Sequence, residues 1–232
     1  MKLIKKLLLR LFLLILILSS IILFIGYTYY SKTLQEQSLA SRVNAITSKE
    51  NYTSFSELSP IYVNAVIATE DHRYYKHGPI DLIGIGRAMY SNIKNKEFRE
   101  GGSTITQQVS KNVIFNQDRT LIRKVGELLC AFDLEKNYSK EEIFAIYVNS
   151  CYFGDGYYSV YDACKGYFNK LPKDLNLDEA SMLAGIPNAP SLYSPTVNMK
   201  LCRKRQSHVL NKMVDYGYIT KEEANSIKSK SN

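Results

Sequence analysis

The 232 residues, 45% hydrophobic and 22% charged, are enough for one sizeable globular domain plus an appendage. The formal net charge is +8, but Lys2, Lys5, Lys6 and Arg10 supply four positives at the extreme N-terminus, leaving 8 − 4 = +4 for the rest. Those remaining basic residues are scattered, which excludes a nucleic-acid signature and favours an anionic lipid surface or a phosphate-bearing substrate.

The appendage comes first. Residues 1–10 are basic, and Leu11 to Tyr30 is almost purely apolar. A run of about 20 such residues is what a bilayer core asks of a helix. Its basic flank predicts a cytoplasmic N-terminus, with everything after Tyr30 outside. Tyr27, Tyr29 and Tyr30 stand where an interfacial aromatic belt would lie. A cleaved signal peptide also starts this way, but its apolar region is shorter and no small-x-small cleavage pattern is present. We therefore read residues 11–30 as an uncleaved single-pass anchor.

Residues 31–58 read as a polar juxtamembrane connector, and residues 59–232 as one mainly helical domain. Ser59-Pro60 places a cap and a first-position proline before an apolar helix running to about Thr69. Thr104 and Gln107 fit a capping box opening a helix over 104–112. Leu121, Val125, Leu128, Leu129 and Phe132 recur at helical spacing between Thr120 and Lys136. Further boxes appear at Ser139–Glu142, Asn176–Glu179 and Thr220–Glu223. Strand signals are confined to a short extended piece near Tyr152-Phe153. The four cysteines (Cys130, Cys151, Cys164, Cys202) are an even number that would permit disulfides outside the cytoplasm, but Cys130 and Cys164 sit in apolar helical surroundings and there is no CxxC spacing, so buried free thiols are expected.

Two polar blocks concentrate the chemistry. Glu70 and Asp71 close the first apolar helix, at the negative end of its dipole, where carboxylates are unfavourable. They serve either as a solvated charge cluster with Arg73, Lys76 or His77, or as a general base facing a substrate. Gly101-Gly102-Ser103-Thr104 leads into a helix N-terminus, a ready anion site that Ser103, Thr104, Gln107, Gln108 and Lys111 could complete; an ordinary capped helix is the plainer alternative. No Gly-Lys-Ser/Thr follows, so a Walker A loop is excluded. Arg123, Lys124 and Glu127 form a third group, either an exposed i,i+4 ion pair or a holder for pyrophosphate. His72 and His77 lack a third ligand at metal-binding spacing, and His208 reads as an ordinary surface or core histidine.

Taken together, these blocks resemble glycosyltransferase family 51, the peptidoglycan glycosyltransferases, which also form the N-terminal domain of class A penicillin-binding proteins. Glu70, Asp71, Tyr74, His77 and Gly78 match its first motif. Gly101 through Asn112 match its second without exception, and Arg123, Lys124, Glu127, Ala131, Leu134 and Glu135 match its third. Tyr147, Asn149, Tyr152, Phe153, Gly154, Gly156 and Lys170 belong to the fourth; Ala184, Gly185, Pro187, Pro190 and Pro195 to the fifth. Ser159 stands where glycine is usual, and Cys164 where alanine is frequent.

The resemblance implies a lysozyme-like, two-lobed helical fold whose smaller lobe leans into the membrane. It implies an enzyme of the bacterial plasma (inner) membrane that polymerises lipid II into β-1,4 glycan with inversion, releasing polyprenyl diphosphate. The chain ends about 37 residues after Pro195, so the form without a transpeptidase domain is expected. Glu70 would be the general base and Glu127 the second essential glutamate. Asp71, His77 and Asn112 would join the substrate site, while Lys111, Arg123, Lys124 and Arg73 would hold the diphosphate. No metal site is marked; a divalent ion (Mg or Mn) near the diphosphate is the one cofactor option. Expected partners are lipid II, the nascent glycan, the membrane and other cell-wall synthesis or division proteins. The rival classes are a wall-cleaving hydrolase or lytic transglycosylase, which leaves the cationic segments unexplained, and an inactive scaffold, which leaves the intact carboxylates unexplained.

Overall fold

A computed structural model describes residues 2–95, 101–115 and 120–229. Among them every regular element is helical: α1 (Lys2–Glu36), α2 (Leu39–Thr47), α3 (Pro60–Glu70), α4 (Leu82–Asn95), α5 (Ile105–Ile114), α6 (Leu121–Asn137), α7 (Lys140–Ser150), α8 (Val160–Phe168), α9 (Leu177–Gly185), α10 (Pro190–Tyr193), α11 (Pro195–Asp215) and α12 (Lys221–Ser229). The mainly α class expected from the sequence is the class observed.

Helix α1 is long and apolar enough to cross a membrane. From Leu3 to Ile25 its side chains are exposed, apart from half-buried Ile22. That stretch spans about 34 Å at ~1.5 Å per residue, enough for a bilayer core of ~30 Å. Gly26 then meets α6: a Cβ there would lie 2.4 Å from Val125 Cγ1, so only glycine permits the approach. Tyr30 is buried and donates to Asp133 Oδ2 at 2.7 Å, while Tyr29 stacks on Phe115. Of the three tyrosines expected to form an interfacial belt, Tyr27 and Tyr29 remain exposed, Tyr29 with one face against Phe115, and only Tyr30 is buried in the protein.

Residues 31–58 hold the end of α1 and all of α2, and they contribute Leu39, Val43 and Leu58 to the main core. Helix α3 runs through that core with Tyr62, Val63, Ala65, Val66, Ile67 and Ala68 all buried, and α9 and α11 pack along it. Burial of that many apolar side chains, at roughly 1.5–3 kcal/mol for each large one, makes α3 a fixed post. Whatever stands at its end is held rigidly.

The capping boxes form as expected before α5, α7 and α9. Thr220 and Glu223 exchange the same pair of bonds before α12. Ser59 departs from expectation: its hydroxyl donates to Leu175 O at 3.1 Å rather than capping α3. No strand forms at Tyr152-Phe153 among the described residues. Phe153 N–H donates to Tyr157 O at 2.8 Å across a turn in which Gly154 and Gly156 have φ of +87° and +81°. Ser159 has a local use that glycine could not serve, since its Oγ accepts from Asp162 N and caps α8. All four cysteines are free and buried.

Candidate active site

The chain leaves helical geometry at Asp71 (φ −157°, ψ 72°), so the two adjacent carboxylates point to different places. Asp71 turns inward. Its Oδ2 accepts the Ile105 N–H at 3.0 Å, and its Oδ1 meets His77 Nε2 at 2.7 Å. One side chain thereby ties the first polar block to the second and supplies negative charge at the N-terminus of α5. Burial disfavours protonation of His77, but the Asp71 bond and the Gly78 carbonyl outweigh it, and the imidazole pKa is raised. Asp71 is buried, so the solvated-cluster alternative fails for it.

Several other expected binding residues are engaged in building the fold. Thr104 and Gln107 are buried in the α5 capping box, and Thr104 Oγ1 also donates to Pro79 O at 2.9 Å. Arg73 sits 3.2 Å from Asp81. Asp81 also supplies the third group that the sequence spacing lacked beside His77, with ligand atoms of Asp71, His77 and Asp81 all within 4.8 Å of one another. Every ligand atom but Asp81 Oδ1 is already committed, however. Two carboxylates face Arg73 and a histidine whose protonated form is favoured, which makes a closed charge cluster.

Glu70 points the other way, into a cleft of about 690 Å³. Its side chain is 17% exposed; Oε2 accepts from Gln108 Nε2 at 2.8 Å, and Oε1 lies 3.8 Å from Arg205 Nη2. Helix α5 brings Gln108, Lys111 and Asn112 to one wall, with Ser103 and Gly101 at the turn before it. The opposing wall is α11, which presents Arg205, His208 and Lys212, three residues on one helical face. His72 stacks on Tyr216 at 4.2 Å, and Arg87 donates to the Tyr216 hydroxyl at 3.1 Å. Among the described residues lining the cleft, Glu70 is the single carboxylate, against Arg87, Lys111, Arg205 and Lys212. Cys151 also lines it, but burial pushes its thiol up to about 12, so it is no nucleophile.

The third group is placed apart from the cleft lining. Glu127 is 2% exposed and is clamped by Arg123 Nη1 and by Lys124 Nζ, the latter at 3.0 Å. This is not the exposed surface pair that was the plainer reading. Lys124 Nζ also reaches Ser103 Oγ at 3.0 Å, which places the cationic group behind the Gly-Gly turn at the edge of the cleft.

Sequence reasoning missed the α11 wall. The available signal was the Arg205/His208/Lys212 spacing, which puts three basic or titratable groups on one face of a long helix; His208 had been read as an ordinary histidine.

Comparison with known proteins places the chain in a family. A family model described as Transglycosylase matches residues 35–214. The chain belongs to that family, glycosyltransferase family 51. Penicillin-binding protein 1F of Bacillus subtilis (strain 168) is 42% identical over 178 residues, covering 77% of this chain and 25% of that protein. Penicillin-binding protein 1A of Neisseria gonorrhoeae is 41% identical over 172 residues, covering 74% and 22%. The chain thus spans about a quarter of the length of these relatives. A crystal structure of penicillin-binding protein 1A from Haemophilus influenzae aligns over 53% of this chain and 15% of that one at 27% identity, with a TM-score of 0.38, too low to carry an argument about shape.

Proposed function

We propose that this protein polymerises lipid II, transferring a lipid-linked glycan to the 4-hydroxyl of an acceptor sugar and releasing polyprenyl diphosphate. The observation that carries the reading is the cleft: one carboxylate, fixed at the end of a buried helix, faces four cations. A sugar hydroxyl is a poor nucleophile and needs a base; Glu70 is the group in position. The leaving diphosphate departs as a stable anion and needs charge neutralisation more than a proton. Lys111 supplies this inside the cleft, and Lys124 and Arg123 supply it at the Ser103 edge. Glu127 orients those two cations. Direct attack opposite the leaving group inverts the anomeric centre, giving a β-1,4 linkage from an α-linked donor. Gln108 holds Glu70 through one oxygen, leaving the carboxylate aimed at the acceptor. Asp71, His77, Thr104 and Gln107 hold the two blocks in register rather than touching substrate. A divalent ion on the diphosphate would find Glu70 as its one described cleft carboxylate, so side-chain cations take the larger share of neutralisation.

The bilayer is where such a substrate resides. Helix α1 supplies the anchor, with its basic end cytoplasmic by the positive-inside rule. Helix α4 adds an apolar face in Leu82, Ile83, Met89, Tyr90 and Ile93, all exposed. Because Gly26 docks on Val125 where the exposed stretch of α1 ends, the first turns of α6 lie level with the headgroups, close to a lipid diphosphate. Incubating the purified chain with lipid II and separating the products tests the proposal. Polymer supports it, fragmentation of added glycan indicates a hydrolase, and no reaction under either condition indicates a scaffold.

A further inference from the structure

The contact between α1 and the catalytic helices is more than a tether requires. Phe115, just past α5, is buried among three elements. Tyr29 of α1 stacks on it at 5.6 Å with planes 23° apart, and Tyr30 tilts against it at 6.3 Å. On its other side lies Gly126 of α6, where a Cβ would come within 2.8 Å of the Phe115 ring. Gly126 precedes Glu127, and Phe115 lies four residues beyond Lys111. Two turns further along α6, Asp133 accepts the Tyr30 hydroxyl, closing the contact at a second point. The ring therefore bridges α1 to the end of the helix carrying Lys111 and to the start of the helix carrying Arg123, Lys124 and Glu127.

We propose that α1 is a working part of the site: the Tyr29–Tyr30 turn, acting through Phe115, sets the relative position of α5 and α6 and thereby of the cations that meet the diphosphate. Tyr29, Tyr30 and Phe115 are positioning residues in this account, which rests on the proposed reaction for its consequence but not for its geometry. The physical basis is close packing. A wedge shared by three helices has no slack, so a change on one face is transmitted to the other two.

Gly26→Leu separates anchoring from positioning. It makes α1 more apolar, so membrane attachment is kept, yet its side chain must displace Val125 and lift α1 from α6. Tyr29→Ala removes the stacked ring, and Tyr29→Phe keeps it. With the full chain in lipid vesicles, two measurements are made on each: lipid II polymerisation kinetics and amide hydrogen exchange across residues 121–127.

The expected result is that Gly26→Leu and Tyr29→Ala lower kcat by about tenfold, within the ~100-fold that a 1 Å misplacement can cost. KM should rise as well, because the same cations hold the diphosphate in the ground state. Exchange at 121–127 should accelerate in both, while Tyr29→Phe matches wild type in both measurements. Wild-type kcat in Gly26→Leu overturns the proposal, as does a kcat loss with exchange unchanged, or an equal loss in Tyr29→Phe. If the wild-type chain makes no polymer, the reaction assigned above falls, and the exchange arm alone decides the latch: unchanged exchange in Gly26→Leu and Tyr29→Ala overturns it.

Discussion

Glu70→Gln is the sharpest test of the assigned base, because the structure lets its effects on fold and on chemistry be estimated separately. The substitution is isosteric, and Gln108 can turn its amide to meet the new one, so the 2.8 Å bond is exchanged rather than lost. What disappears is the attraction to Arg205 at 3.8 Å, between side chains 17% and 15% exposed. Partly exposed pairs of this kind contribute about 1 kcal/mol or less. For a chain of this size that is a melting shift of about 2–4 °C. Loss of a general base, by contrast, costs about 10²- to 10⁴-fold in rate, or roughly 3–5 kcal/mol of barrier. The activity loss therefore exceeds anything the stability change explains. Gel analysis of lipid II polymer, paired with a thermal melt of the same sample, checks both numbers. Polymerisation above about a tenth of the wild-type rate in a folded Glu70→Gln protein refutes the assignment.

Three further outcomes follow from the same geometry. Lys111→Ala should weaken binding of a pyrophosphate-bearing substrate analogue by about 10- to 100-fold, the size of a lost charge-assisted hydrogen bond; titration calorimetry with unchanged affinity would remove Lys111 from the diphosphate site. Glu127→Ala leaves Arg123 and Lys124 facing each other without their shared carboxylate, so the fold should lose about 3–5 kcal/mol in chemical denaturation, and a loss under about 1 kcal/mol would show that the pair is not structurally coupled. The His77–Asp71 contact carries a pH signature. The folded imidazole pKa is raised above 6.5, so its contribution is fully present below that pH and is lost as pH rises through the folded value. Urea unfolding above pH 6.5 should show stability falling more steeply in wild type than in His77→Gln, and parallel curves would discount the contact.

The sequence disclosed what depends on neighbours along the chain. Thr104 and Gln107, Ser139 and Glu142, and Asn176 and Glu179 declare helix starts because each bond closes over three residues, and α3 declares itself by its continuous apolar run. Glu70, Gln108 and Lys111 could be singled out as polar groups, and the cleft does gather them. The functions of Asp71 and Tyr30 were illegible because their partners are remote: the Ile105 amide is 34 residues from Asp71, and Asp133 is 103 residues from Tyr30. The α11 wall was hidden for a related reason. Arg205, His208 and Lys212 form a helical stripe whose facing partner is decided only when α11 packs along α3 and α9. Periodicity shows that a stripe exists but not what it faces.

The placement of the two glutamates also bears on whether the cleft joins sugars or cuts them. Glycosidases flank the scissile bond with a pair of carboxyl groups, one of which must deliver a proton to the departing sugar oxygen. Here Glu70 is the single carboxylate among the described cleft residues, while Glu127 is buried behind Ser103 and saturated by two cations. The two Glu127 oxygens are taken up by Arg123 and Lys124, so neither is offered to a departing sugar. A site with a base but no acid suits a donor whose leaving group needs no proton, and a diphosphate is such a group. The four cleft cations then have a use that a hydrolase would not give them. On this view the same two glutamates would serve glycan cleavage only if Glu127 were released from Arg123 and Lys124. Replacing both cations by Met in one protein releases Glu127 and should therefore abolish polymerisation, whereas the wild-type chain should yield no fragments from added glycan; fragments made by the wild type would break the argument.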